Sequence, residues 1–210
     1  MPARIVVLAG VNGAGKSSVA GEAIRNAGGE FFNPDVVARA LLDDRSGMTV
    51  EQANGQAWEL GRRGLERALA QGEFFAFETT LGGNTIPGML QASARQGAEI
   101  HVSYIGLVSP ELHIERVRSR VAAGGHDIPE KKIRERYRTS RANLITLMPL
   151  LASLRVHDNS IEADPKTGAR PKPVLLLHMF GGKVAGHAPL GEIPAWAKPL
   201  LAAALKGQAT

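Results

Sequence analysis

The chain has 210 residues, no cysteine, 44% hydrophobic and 21% charged residues, and a net charge of +5. That length suits one domain, or one domain with a small appendage, and leaves room for a full core. The lack of cysteine excludes disulfides and thiolate metal sites, and no apolar run is long enough for a membrane span or shaped like a signal peptide, so a cytoplasmic setting is expected.

Arg4 to Ala9 reads as a short buried strand and runs into Leu8-Ala-Gly-Val-Asn-Gly-Ala-Gly-Lys-Ser-Ser18. Gly10, Gly15, Lys16 and Ser17 fit G-x-x-x-x-G-K-[ST], the phosphate-binding loop between a strand and a helix. Residues 17–26 read as the start of that helix. Glycines let successive backbone N–H groups curl around phosphate oxygens, and the helix N-terminus adds unpaired donors and a favourable dipole. Asn12, Gly13, Ala14, Gly15, Lys16, Ser17 and Ser18 are therefore the expected ATP-binding set. Lys16 can reach the β- and γ-phosphates, and Ser17 can ligate Mg²⁺.

Glu30-Phe31-Phe32-Asn33 is the second strand candidate, followed by Pro34-Asp35, a helix over 36–43 and a turn at 44–47. Asp35, after strand two, is the candidate general base for a hydroxyl acceptor, with helix capping as its plainer use. Thr49 with Gln52 forms a capping-box signature for a helix over about 50–71 that stops at Gly72. Phe74 to Phe77 is an apolar third strand ending in Glu78-Thr79-Thr80. A carboxylate straight after such a run points to Mg²⁺ or a substrate hydroxyl rather than to a solvated surface.

A helix over 86–97, a strand from Ile100 to Val108 and a strand over 154–158 complete the alternation, with Glu162 to Pro173 a polar loop. Strands separated by helices predict an α/β three-layer sandwich of P-loop kinase type, with a mostly parallel sheet and helices on both faces. Ligands in such folds sit at the carboxyl ends of the strands, which gathers the phosphate loop, Asp35 and Glu78 into one site.

Residues 116–141 carry nine Arg or Lys against Asp127, Glu130 and Glu135, a surplus larger than the net charge of the whole chain. Tyr137 is the single Phe, Tyr or Trp in this run, too few for a base-stacking platform, which argues against nucleic acid and for a small polyanion. Ser109-Pro110 opens one helix, Gly124-Gly125 breaks it beside His126, and Asp127 with Glu130 is expected to cap the next. Ile133, Tyr137, Leu144 and Met148 form an inward stripe. Arg116 and Arg120 share one face of the first helix, and Arg134, Arg138 and Arg141 share one face of the second, with Arg136 on another. The pair reads as a lid over phosphates at about 109–148, with Arg116 a candidate for ATP, Arg120 and Arg136 candidates for catalysis, and the choice among its arginines left open by the run itself. Residues 1–185 form the expected kinase domain and 186–210 a tail with a short helix.

"GVNGAGKSS", "NPD", "FAFETTL", "RVRSRVAAGGHDIPEKKIRERY" and "VHDNS", in this order, resemble the zeta-toxin family of small kinases from about residue 4 to about residue 180. The resemblance implies a P-loop kinase that uses ATP to phosphorylate a sugar hydroxyl of UDP-N-acetylglucosamine, toxin-like activity and an antitoxin partner. By position it makes Lys16 and Ser17 serve ATP and Mg²⁺, and Asp35 the base. Glu78, Thr79 and Thr80 would hold the sugar nucleotide, and Arg120 with Arg134 or Arg136 would clamp phosphates. A kinase of another small hydroxyl compound (a nucleoside, antibiotic or polyol) shares every one of these residues. An ABC-type ATPase subunit would share the loop, but no apolar strand ends in Asp-Glu and no LSGGQ-like signature is present.

Overall fold

The computed structural model describes residues 1–16, 31–44, 47–125, 127–161 and 172–207. The helix start expected over 17–26, Ser17, Ser18, Glu30, part of the turn at 44–47, His126 and most of the loop at 162–173 lie outside these residues.

At the centre of the parallel part of the sheet is β1 (Arg4–Ala9), whose Ile-Val-Val-Leu-Ala run is largely buried, as the middle of a parallel sheet requires. It pairs in parallel with β3 (Phe74–Thr79) on one side and β4 (Glu99–Gly106) on the other. β2 (Phe31–Phe32) and β5 (Ser153–Asp158) extend the parallel part. Two strands go beyond the sequence reading: β6 (Val174–Phe180) and β7 (Lys183–His187) add on antiparallel, giving the order β2-β3-β1-β4-β5-β6-β7. Gly181 and Gly182, at φ 55° and 74°, make the two-residue hairpin turn between them.

The helices are α1 (Pro34–Asp44), α2 (Val50–Gln71), α3 (Thr85–Arg95), α4 (Pro110–Ala122), α5 (Glu130–Leu147) and α6 (Lys198–Lys206). Among the described residues none is long and apolar enough to cross a membrane. The capping box of α2 forms as expected: Gln52 N donates to Thr49 Oγ1 at 3.2 Å and Thr49 N to Gln52 Oε1 at 2.9 Å. Gly72 closes that helix at φ 69°. Ser109 caps α4 by accepting from Leu112 N. The cap expected from Asp127 and Glu130 does not form, because the Asp127 carboxylate accepts from Ile128 N and Glu130 pairs with Arg118. α1 begins two residues earlier than the sequence pattern suggests, since Asn33, not Asp35, accepts from its first N–H groups.

Alternation along β1 sends Val7 and Ala9 into the main core, with Leu65, Leu90, Leu144, Leu147, Tyr104 and Trp196, while Leu8 joins Ala14 and Ile105 in a separate group. Leu144 and Leu147 are fully buried there, so the second half of α5 belongs to the body of the fold. The α4–α5 hairpin is rooted in this way and reaches the phosphate loop through His113. Its imidazole, 1% exposed, donates from Nδ1 to the Asn12 carbonyl at 2.9 Å and lies edge-on to Tyr137 at 5.7 Å.

Burial, aided by the Lys16, Arg116 and Arg141 charges and opposed by the Asn12 hydrogen bond, pulls His113 down to about 4. The folded pKa lies below the usual imidazole value, so the unfolded chain takes up the proton first as pH falls. Stability is complete above about pH 6.5 and is lost towards pH 4. Between pH 7 and 5 this one group should remove roughly 2 kcal/mol. Urea unfolding at the two pH values should show a smaller fall in His113→Asn, although that variant starts less stable. Equal falls in the two proteins would show that His113 does not couple folding to pH.

Candidate functional site

The phosphate loop is shaped by three glycines at positive φ: Gly10 (142°), Gly13 (82°) and Gly15 (81°). A Cβ on Gly10 would stand 2.2 Å from the Ile105 carbonyl oxygen, and one on Gly13 would stand 2.7 Å from the His113 carbonyl oxygen. The loop is therefore pressed against β4 and α4 with no room for side chains, the backbone arrangement of an anion nest. Ala14 N donates to Val11 O at 3.1 Å, and Asn159, in the "VHDNS" stretch after β5, donates to Ala14 O at 2.8 Å. These residues fit a polyphosphate cradle. Ser17 and Ser18, expected to follow it, lie outside the described residues.

Lys16 is 6% exposed, with Nζ 3.3 Å from Val11 O and 3.2 Å from Glu78 Oε1. The parallel register sets Leu8 opposite Glu78 and Ala9 opposite Thr79, which brings the end of β3 to the lysine. Asn33 donates to the second oxygen of Glu78 at 3.1 Å, while its own Oδ1 accepts from Asp35 N at 2.9 Å and Val36 N at 3.3 Å. One amide thus ties the Lys16–Glu78 pair to the helix start that carries Asp35. Sequence reasoning assigned Asn33 no role, although an Asn before Pro-Asp at a strand end is a helix-capping signal.

Asp35, half-exposed, has its carboxylate 3.5 Å from Arg120 Nη1. Arg136 reaches the phosphate loop itself, donating from Nη1 to Asn12 Oδ1 at 2.8 Å. Desolvation lowers the Arg136 pKa and the Asp35 charge opposes that shift. A Cβ on Gly82 would meet Arg136 Cγ at 2.6 Å, so the glycine makes room for the arginine. Arg116 lies beside Gly13, its Cβ 3.5 Å from the point that a Gly13 Cβ would occupy. Arg134 is elsewhere: it pairs with Glu111 of α4 at 2.6 Å, both side chains being exposed. The structure thus brings Lys16, Glu78, Asp35, Arg116, Arg120 and Arg136 together around the loop and leaves Arg134 bracing the hairpin.

Thr79 and Thr80 turn their hydroxyls onto their own loop, accepting from Leu81 N at 3.1 Å and Gly82 N at 3.3 Å. Leu81 is held at φ 52°, a strained conformation for a side-chain-bearing residue. α5 imposes it: Ser140 donates to Thr80 O, Asn143 to Leu81 O and Gly83 O, and Thr139 to Gly82 O. Two clefts open at these strand ends. One, of about 590 Å³, is lined by Glu78, Thr80 and Arg136 together with Phe32, Trp58 and Ile86. The second, of about 530 Å³, is lined by Asp35 and Arg120, with Asn33 and Asn54 at its side.

Residues 5–143 match the AAA domain family AAA_33. The chain is 29% identical over 142 residues to an uncharacterized protein of Haemophilus influenzae, covering 65% of this chain and 94% of that protein. Its fold resembles a chain of the AvrRxo1-ORF1:AvrRxo1-ORF2 complex with sulphate ions at a TM-score of 0.62 and 16% identity. The match covers 97% of this chain and 64% of that one, less than two thirds of its length. The same complex with ATP matches at a TM-score of 0.61, 16% identity and the same coverage. The PezAT chromosomal toxin-antitoxin system of Streptococcus pneumoniae matches at 0.56 and 15% identity, over 100% of this chain and 86% of that one. These likenesses establish an α/β P-loop fold, and the extent of the family match shows that the chain belongs to the AAA_33 family of AAA domains.

Proposed function

We propose that this chain is a zeta-toxin-like kinase that transfers the γ-phosphoryl group of ATP to a hydroxyl of a small molecule, with UDP-N-acetylglucosamine as the favoured acceptor. The observation that carries the reading is the Lys16–Glu78 contact, from which the 590 Å³ cleft opens. An ATPase that activates only water needs no such cleft beside its phosphate loop. The ATP-bound AvrRxo1 complex supports ATP as donor, and the quoted zeta-toxin motifs support the sugar nucleotide.

In this reading the loop from Gly10 to Lys16 holds the triphosphate, while Arg116, Arg120 and Arg136 neutralise charge that develops on the transferring group. Mg²⁺ accompanying the nucleotide supplies further neutralisation, with Ser17 as its ligand by position in the motif. Glu78 holds the acceptor, helped by the backbone that Thr79 and Thr80 shape. Asp35 orients the acceptor hydroxyl and takes its proton. Closure of the α4–α5 hairpin over the phosphates, a boundary of the kinase domain near residue 185, a cytoplasmic setting and an antitoxin-type partner belong to the same proposal. The last is supported by the PezAT toxin-antitoxin system among the fold's relatives.

Incubation with γ-labelled ATP and UDP-N-acetylglucosamine should give a labelled sugar nucleotide. Label passing instead to a nucleoside or polyol would keep the kinase and change the acceptor, and release as free phosphate alone would contradict the proposal. Lys16→Ala should abolish transfer, because Lys16 is the one charged residue in the loop sequence from Gly10 to Ser18.

Asp35→Asn should lower single-turnover transfer by about 10²- to 10⁴-fold while ATP affinity by calorimetry stays near wild type. Parallel loss of ATP binding would make Asp35 a structural or metal-organising residue.

The two arginines two residues apart should separate sharply. Arg136→Ala should depress transfer by on the order of 10³-fold, as for an arginine acting on transition-state charge. Arg134→Ala should leave it nearly unchanged, because an exposed ion pair contributes little. Equal effects of the two would contradict the placement of Arg136.

A further inference from the structure

Asn33 follows β2 directly, and its side chain works in two directions. Parallel pairing sets Phe31 against Ala76 and Phe32 against Phe77, so one further step of the same register brings Asn33 beside Glu78. Its Nδ2 donates to Glu78 Oε2 at 3.1 Å, while Lys16 Nζ lies 3.2 Å from Glu78 Oε1. Contacts at both oxygens fix the plane of that carboxylate. At the other side of the amide, Oδ1 accepts from Asp35 N at 2.9 Å and from Val36 N at 3.3 Å. The Asn33 carbonyl accepts from Val37 N at 3.1 Å, and Pro34, which has no N–H to satisfy, fills the first position of α1.

Helix capping alone does not account for an asparagine here. A cap needs only an oxygen, and Asn, Asp and Ser supply it about equally well. Asp would also suit the positive end of the helix dipole. The amide differs by carrying N–H donors beside its acceptor, and here a donor meets a carboxylate. An aspartate in its place would set a second negative charge against Glu78 and disfavour the ionised form of both. A serine ends one bond earlier and cannot cap α1 and reach Glu78 together. The Asn33–Glu78 bond also joins the two clefts, because Glu78 lines the larger one while Asn33 and Asp35 line the smaller.

We propose that Asn33 is a positioning residue that fixes the Glu78 carboxylate against Lys16 and, through the same amide, sets Asp35 in a defined place relative to Glu78. The consequence for catalysis rests on the kinase reading: transfer is fast only while this amide holds both carboxylate-bearing segments. Asn33 takes no part in the chemical step.

Asn33→Ser and Asn33→Asp separate positioning from capping, since both keep an oxygen for the first N–H groups of α1. With γ-labelled ATP and UDP-N-acetylglucosamine, Asn33→Ser should lower single-turnover transfer about 10- to 100-fold, the range for losing a partner that orients a ligating group. Its melting temperature and its ATP affinity by calorimetry should stay near wild type. Asn33→Asp should transfer more slowly still, the reverse of the order expected from capping and the helix dipole. Transfer by Asn33→Asp at the wild-type rate would overturn the inference. A second readout needs no acceptor. In ¹⁵N spectra of the protein without nucleotide, Glu78→Ala should move both the Asn33 side-chain amide and the Asp35 N–H resonance. The Asp35 movement should be absent when Asn33→Ser is already present. An Asp35 resonance that ignores Glu78→Ala, or that moves equally without the Asn33 amide, would also overturn the inference. The two readings fail separately. Coupled resonances in a protein that phosphorylates no acceptor would remove the kinase and leave Asn33 as the link. An active kinase indifferent to Asn33→Ser and Asn33→Asp would remove the positioning role and leave the kinase.

Discussion

The site depends on one buried ion pair, Lys16 with Glu78, at 6% and 11% side-chain exposure. A lysine inside a phosphate loop must be shielded from water to act strongly on phosphate, and a shielded ammonium without a partner is costly. Glu78 answers that need, held in turn by Asn33. On the kinase reading proposed above, the pair is exchangeable: phosphate oxygens would take the place of the carboxylate at the lysine and leave the carboxylate to an acceptor hydroxyl. That reading couples the binding of the two substrates through the Lys16–Glu78 contact.

The sheet exists around that contact. Parallel pairing of β1 with β3 in a register that sets Leu8 against Glu78 is what delivers a carboxylate to a lysine 62 positions away in the chain. β4 supplies the carbonyl against which Gly10 must remain a glycine, and Asn159 after β5 fixes the loop from the far side. α5 works from above, holding the backbone of residues 80–83 through Thr139, Ser140 and Asn143 while its apolar side is locked into the core by Leu144 and Leu147. The same helix carries Arg136 to Asn12, so the arginine is placed by core packing and not by loop geometry.

Much of this was legible in the sequence, for reasons that are local. The Gly10–Lys16 part of the loop motif, the Thr49 capping box, the Gly72 stop and the Ser109-Pro110 helix start depend on residues a few positions apart, and each forms as its spacing suggests. The gathering of Lys16, Asp35 and Glu78 followed from the rule that ligands lie at the carboxyl ends of parallel strands. What was not legible depends on distant partners. Arg134 and Arg136 are equal members of one basic run, and only the fold shows that Glu111 takes the first and Asn12 the second. Asp127 looked like a cap, yet its carboxylate turns to the neighbouring Ile128 N–H. β6 and β7 were passed over because the polar stretch before them masked an apolar run and its Gly-Gly turn. His113 and Trp58 gave no motif at all; burial against Asn12 and exposure in a cleft distinguish them only in three dimensions.

The most direct measurement of the exchange is calorimetry of ATP with Mg²⁺ on the wild type and on Glu78→Gln. That substitution removes the carboxylate charge from Lys16 and keeps the side-chain shape and an oxygen for Asn33. If phosphate replaces Glu78 at the lysine, Glu78→Gln should bind ATP at least as tightly as the wild type, since the lysine no longer leaves a carboxylate, while transfer to the acceptor falls. ATP affinity that drops in Glu78→Gln as it does in Lys16→Ala would contradict the account, because Glu78 would then be part of the nucleotide site and not the partner that nucleotide displaces.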